Sequence, residues 1–292
     1  MAEALSREGI GRLFFGRSWA QPAETRIAAR RARVVCVASG KGGVGKSILS
    51  TNLAVLRARL GERVLLIDFD VGFANDHLLF GLAPRHDLVS VLEGRTGALD
   101  AVVPGPEGVF LLSGGVGRTE LVSATRRELD RLFRALAPLE ARFDRIIVDH
   151  GAGLSYATLA QLAVAPTLLI VTSHEVTALS DAYALFKRAL AANPKVRAGL
   201  VINRVPSRAH AESAWERYSG ACRKFLGAVP ELVGWVPADE AVGASVDERK
   251  PLVLARPESA AARAFEPIAA WRALDQGAGA SAFYDQACAA LR

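Results

Sequence analysis

Cysteine is scarce in this chain. Three residues in 292, Cys36, Cys222 and Cys288, are too few and too scattered for a disulfide framework. None forms a CxxC pair, which argues against a cysteine-held metal or iron–sulfur cluster and fits a reducing cytosol. Long apolar runs are missing as well. The most apolar stretch, 162–171, is interrupted by Pro166 and falls well short of the roughly 18 residues a membrane span needs. Leu13-Phe14-Phe15, set between arginines, is too short for the core of a secretion signal, so a cytoplasmic protein is expected. No internal repeat is visible. Charge of one sign is only mildly in excess: the net charge is +6 and the pI about 9.5, with 23% of residues charged. Such basicity permits an acidic partner, anionic lipid or nucleic acid and requires none of them. The length suits one α/β domain with tails, and at this size about three quarters of the extended surface is buried.

What the chain does have is glycine in one telling place. The apolar run from Val34 to Ala38 reads as a buried strand, and a helical pattern begins near Lys46. Between them Gly40-Lys41-Gly42-Gly43-Val44-Gly45-Lys46-Ser47 matches GxxxxGK[ST], the phosphate-binding loop. Glycines let backbone N–H groups turn inward around phosphate oxygens, and the helix that follows adds its positive end. Lys46 is placed to reach the terminal phosphates, and the Ser47 hydroxyl to ligate Mg²⁺, with Ile48 next in the helix.

Acids at strand ends fall into step with this loop. Arg63-Val64-Leu65-Leu66-Ile67-Asp68 reads as a second buried strand, ending in Asp68-Phe69-Asp70 and leading to Asn75. Two carboxylates at a strand's C-terminal end lie where open α/β sheets bind ligands, and suggest magnesium and water positioning. Arg145-Ile146-Ile147-Val148-Asp149 is another apolar strand ending in an acid, the magnesium-holding position, followed by His150-Gly151-Ala152-Gly153 as a mobile switch. His150 reads as a packing or hydrogen-bonding residue rather than a new general base. Further strands are expected at 109–112, 167–172 and 198–202, a short helix at 88–94, and a helix over 123–141 with Leu129, Leu132, Phe133 and Leu136 on one face. Gly114-Gly115-Val116-Gly117 lacks lysine and hydroxyl and reads as an ordinary loop. At least five β/α alternations imply a mainly parallel, doubly wound sheet with helices on both faces.

Lys41, the second lysine of K-G-G-V-G-K-S, makes the loop resemble the deviant P-loop of the MinD/ParA family of dimerising ATPases, over roughly residues 33–273. The stretch Ser180-Asp181-Ala182-Tyr183-Ala184-Leu185-Phe186-Lys187 is similar to the family's flagellar-number regulators of the FlhG type. The resemblance implies ATP and Mg²⁺ as cofactors and an ATP-dependent homodimer. It gives Lys41, Lys46 and Asp70 catalytic roles, with Lys41 reaching the partner subunit's nucleotide and Asp70 orienting the attacking water. It puts Ser47, Asp68 and Asp149 at the metal and Asn75 near the phosphates or the dimer face. Asn203, at the end of a strand, would hydrogen-bond adenine, and Pro237 and Asp239 would form the base-binding loop. The implied function is a slow ATPase switch regulating flagellar number or placement. A division-site MinD role or a ParA-type role partitioning DNA or cargo are the alternatives.

The ends read as extensions. Residues 1–32 form a basic N-terminal segment, with Arg12, Arg17, Arg26, Arg30 and Arg31 among them. Residues 274–292 combine a Gly/Ser linker with a short amphipathic helix carrying Phe283, Tyr284, Ala287, Cys288 and Leu291 on one face. Asp285-Gln286-Ala287-Cys288-Ala289-Ala290-Leu291-Arg292 resembles the DQAxxLR element with which flagellar regulators of the family engage a GTPase, FlhF, although theirs lies at the N-terminus. This helix is expected to dock such a partner, to touch the inner face of the cell membrane weakly, or to be inert.

Overall fold

Each apolar run predicted as a strand becomes one, because a parallel sheet covered on both faces tolerates no polar alternation. The computed structural model describes residues 31–70, 74–115, 121, 123–275 and 283–292. The expected N-terminal extension therefore lies outside the described residues, Arg31 and Ala32 excepted. The described residues include eight strands: β1 (Arg33–Ala38), β2 (Val64–Phe69), β3 (Val103–Pro104), β4 (Phe110–Leu112), β5 (Arg145–His150), β6 (Thr167–Ser173), β7 (Arg197–Val205) and β8 (Glu231–Pro237). They build one sheet in the order β3-β4-β2-β5-β1-β6-β7-β8, parallel throughout except for the short antiparallel β3–β4 edge.

The pleat divides β1 between two cores. Val34, Cys36 and Ala38 face one apolar cluster, while Val35 and Val37 face the other. The second cluster is covered by α1 (Lys46–Arg59), α9 (Leu252–Ala255) and α10 (Ala260–Ala269) through Leu49, Leu53, Leu252 and Phe265. The first is covered by α4 (Arg126–Leu136), α5 (Tyr156–Leu162), α6 (Val176–Ala192) and α7 (Arg208–Leu226). Helices on both faces make the sheet doubly wound, as predicted. Shorter helices α2 (Asp76–Leu79), α3 (Leu88–Leu92) and α8 (Glu240–Asp247) lie in the connections. The helix expected over 123–141 begins one residue after Thr125, whose hydroxyl and Glu128 form a capping box, and buries the four residues named from the sequence. Past Leu136 it tightens into a 3₁₀ turn containing Pro138, whose ring removes a helical donor.

The C-terminal helix corrects an expectation. α11 (Phe283–Ala290) buries Phe283, Tyr284, Ala287 and Cys288, and Leu291 after it, in the same cluster that α4 and α5 cover. The Glu140 carboxylate accepts the N–H groups of Phe283 and Tyr284 at 2.9 Å each, and Tyr156 Oη donates to the Leu291 carbonyl at 3.0 Å. Residues 31–292 form one compact unit, so the domain does not stop at 273. The apolar face that membrane or partner docking would have used is spent on the chain's own core. The linker residues 276–282 lie outside the described residues. No helix among the described residues is long and apolar enough to cross a membrane.

Candidate functional site

β1 delivers the glycine loop to the C-terminal edge of the sheet, between β5 and β6. Gly40 passes so near α6 that a Cβ there would lie 2.3 Å from the Asp181 carbonyl. Gly45, at φ 89°, caps α1 without any side-chain acceptor, so no side chain competes for the first-turn N–H groups of the helix. The loop is pinned from three sides. Val44 is buried in the core, Asn203 Nδ2 donates to its carbonyl at 2.8 Å, and Arg204 Nη1 donates to the Gly43 carbonyl at 3.0 Å.

Below the loop the strand register brings acids together. β2 pairs with β5 so that Asp68 stands opposite Asp149. Asp149 accepts hydrogen bonds from Lys46 Nζ at 3.1 Å, Ser47 Oγ at 2.6 Å and Ser50 Oγ at 2.9 Å. Lys46 also lies 3.6 Å from Asp70, which stays partly exposed. Burial works against the Lys46 charge, but Asp149, Asp70 and Asp76 outweigh it and hold its pKa above the ordinary lysine value. Asp68 is fully buried, accepts the N–H groups of Asp70 and Asp76 at 3.0 and 3.1 Å, and is pushed up to about 7 by burial and then by Asp149. Asp70 is raised mainly by burial, against the pull of Lys46. Oxygen atoms of Asp68, Asp76 and Asp149 all lie within 4.8 Å of one another. A hard divalent cation fits this donor set of carboxylates beside the Ser47 hydroxyl.

Two adjoining recesses open beside the loop. One, of about 390 Å³, is lined by Gly42, Lys46, Ser47, Asp70 and Asn75 among others. The other, of about 640 Å³, is lined by Asn203, Pro237, Asp239 and Val242. Gly43, Gly45 and Ile48 line both, so together they form one trough beside the loop. Within it, Asp239 spends both oxygens on the N–H groups of Ala241 and Ala261, which hold its pKa down. Its carboxylate therefore holds the loop in place, while Asp239 and Pro237 both line this recess as the expected base-binding loop. Asn203 has one amide N–H left beyond its bond to Val44, and its oxygen accepts from Arg204 N.

Lys41 does not extend freely. Its Nζ donates to Glu175 Oε2 at 2.8 Å and to Thr177 Oγ1 at 3.2 Å, at the start of α6. This pair is exposed, and such pairs exchange readily. His150 is fully buried against Phe69, with no hydrogen-bond partner at either ring nitrogen, and burial pushes it down to about 3. It packs, as expected, and does not hydrogen-bond. Sequence reasoning missed Asp76, Ser50, Glu175, Thr177 and Arg204. For Asp76 the one available signal was an acid directly after Asn75, at no spacing that any motif prescribes.

Comparison with known proteins agrees with this geometry. The CobQ/CobB/MinD/ParA nucleotide binding domain family matches residues 35–252. The antiactivator FleN of Pseudomonas aeruginosa is 32% identical over 237 residues, covering 81% of this chain and 85% of that protein. The flagellum site-determining protein YlxH of Helicobacter pylori is 27% identical, covering 81% of this chain and 80% of its own. The septum site-determining protein MinD of Pyrococcus horikoshii, solved with Mg-ADP, superposes with a TM-score of 0.69 at 27% identity, over 82% of this chain and 94% of its own.

Proposed function

Because this chain belongs to the CobQ/CobB/MinD/ParA nucleotide-binding family, with FleN and YlxH among its relatives, we propose that it is an ATP-driven dimerising switch that regulates flagellar number or placement. The observation that carries the reading is Lys46, held between Asp149 and Asp70 beneath a glycine loop that also offers Lys41 at the surface. ATP lies along the trough, with its phosphates on the loop N–H groups and Lys46 and its base beside Asn203 and Pro237. Ser47, Asp68 and Asp149 would hold Mg²⁺, which would supply positive charge to the phosphate oxygens. Asp70 orients the attacking water and accepts its proton. Lys41 leaves Glu175 and reaches the nucleotide of a second subunit, so the γ-phosphate contributes contacts that only the dimer makes. Slow hydrolysis returns the chain to the monomer. The switch works in the cytoplasm, with transient contact at the inner face of the membrane. Its partners are flagellar proteins, an FlhF-like GTPase among them, met through exposed Asp285, Gln286 and Arg292 rather than the buried face of α11.

The test is oligomeric state by light scattering. Asp70→Ala with ATP and Mg²⁺ should run as a dimer, and with ADP as a monomer. Adding Lys41→Ala should abolish the dimer while a fluorescent ATP analogue still binds. A monomer for Asp70→Ala under ATP overturns the scheme.

A further inference from the structure

Asp76 is the least expected group in the cleft. Its residue is fully buried, and both carboxylate oxygens lack a hydrogen-bond partner. A buried carboxylate with no donor is costly, and in a folded protein it calls for either a proton or a cation. Its own N–H donates to Asp68 at 3.1 Å, which ties the start of α2 to the end of β2 and sets this carboxylate beside the other two. Among the described residues, Asp68, Asp70, Asp76 and Asp149 crowd around one ammonium, that of Lys46. One ammonium, with three N–H groups, cannot serve the oxygens of four carboxylates. Asp149 already takes three donors, and Asp68 takes two backbone N–H groups, so Asp76 is the carboxylate with the most unused acceptor capacity.

We propose that Asp68, Asp76 and Asp149 form a divalent-cation pocket that fills before nucleotide arrives, with the Asp76 carboxylate as a direct ligand. All three donors are carboxylates, with no nitrogen or sulfur, and this selects hard ions such as Mg²⁺, Mn²⁺ and Ca²⁺. The pocket is wider in scope than a site assembled by Ser47 and the phosphates, since three protein carboxylates suffice to hold the ion. Filling it also offsets the negative charge that would repel an incoming triphosphate. That last consequence, and only that, rests on the nucleotide-site reading above.

The experiment titrates Mn²⁺ into the full-length chain without nucleotide, following free Mn²⁺ by electron paramagnetic resonance and Tm by scanning fluorimetry. The wild-type chain should bind one equivalent and gain Tm. Asp76→Asn, nearly isosteric, should bind at least about tenfold more weakly, since the loss even of an outer-sphere partner has that effect. Its Tm without metal should stay close to that of the wild-type chain, because the carboxamide fills the same space. Asp76→Ser serves as a second variant and should behave alike, which separates ligand loss from misfolding. Mn²⁺ that binds only alongside nucleotide, or wild-type Mn²⁺ affinity in both variants, overturns the proposal. Binding of a fluorescent ATP analogue by the wild-type chain with Mn²⁺ present is read separately. Its absence counts against the nucleotide reading and leaves the cation result standing.

Discussion

Truncating Tyr284 to alanine tests whether α11 belongs to the core or merely follows it. Tyr284 is fully buried, with its ring centroid 5.9 Å from that of Phe133 and 5.0 Å from that of Phe283. Replacing a buried aromatic by alanine costs about 3–5 kcal/mol, transfer and cavity together. Part of that is returned, because the Tyr284 hydroxyl is buried without a partner, and a group in that state costs about 1–3 kcal/mol. The net loss for Tyr284→Ala should be about 2–3 kcal/mol, or a fall in Tm of roughly 4–12 °C for a domain of this size. Tyr284→Phe removes only the stranded hydroxyl and should be neutral or stabilising. Asp285→Ala, on the exposed side of the same helix, should stay within about 0.5 kcal/mol of wild type. Urea titration followed by circular dichroism gives all three from midpoints at a common slope. If Tyr284→Ala melts where Asp285→Ala does, α11 contributes nothing to the fold and the reasoning fails.

Other perturbations follow from the same geometry. His150 is held neutral by burial at about 3, against 6.5 unfolded, so it contributes stability that is present above pH 6.5 and lost as pH falls below it. His150→Leu should therefore gain on wild type as pH drops, by about 2 kcal/mol at pH 5 relative to pH 8, measured by urea melts at both values. Glu62→Ala removes the carboxylate that the buried guanidinium of Arg145 bonds at 2.6 and 2.9 Å and that of Arg57 also bonds, leaving Asp275 to serve both, and should cost about 1.5–3 kcal/mol in the same assay. Gly40→Ala drives a Cβ against the Asp181 carbonyl and should weaken binding of a fluorescent ATP analogue at least about tenfold, the effect of ~1.4 kcal/mol of displacement.

How far the chain could be read from its letters depended on whether the deciding partner was close in sequence. The glycine loop was legible because turn, N–H cradle, lysine and helix start are all local, and the structure assembles them between β1 and α1. Asp68 and Asp149 were legible as strand-end acids, yet their facing one another comes from the β2–β5 register, which no local pattern states. Asp239 entered only through the family resemblance, as part of a base-binding loop. Its tie to Ala261, on a separate helix, comes from tertiary packing and had no local signal.

The open question about α11 and the silence about Asp76 have one physical cause. An amphipathic helix has the same face whether a membrane, a partner or its own protein covers it. The five apolar residues named from the sequence are the five that are buried, so the pattern was legible while the destination stayed open. What settled the destination was an apolar surface under α4 and α5 with Glu140 beside it, ready to accept the two N–H groups that open α11. Asp76 is the polar counterpart of that case. A carboxylate reads as solvated until the fold removes its water, and here the fold does so without supplying a donor. In both cases the residue type states what a side chain needs, while tertiary packing decides whether the need is met. For α11 the chain meets it internally. For Asp76 it does not, and that unmet need makes the acid pocket a place for a cation.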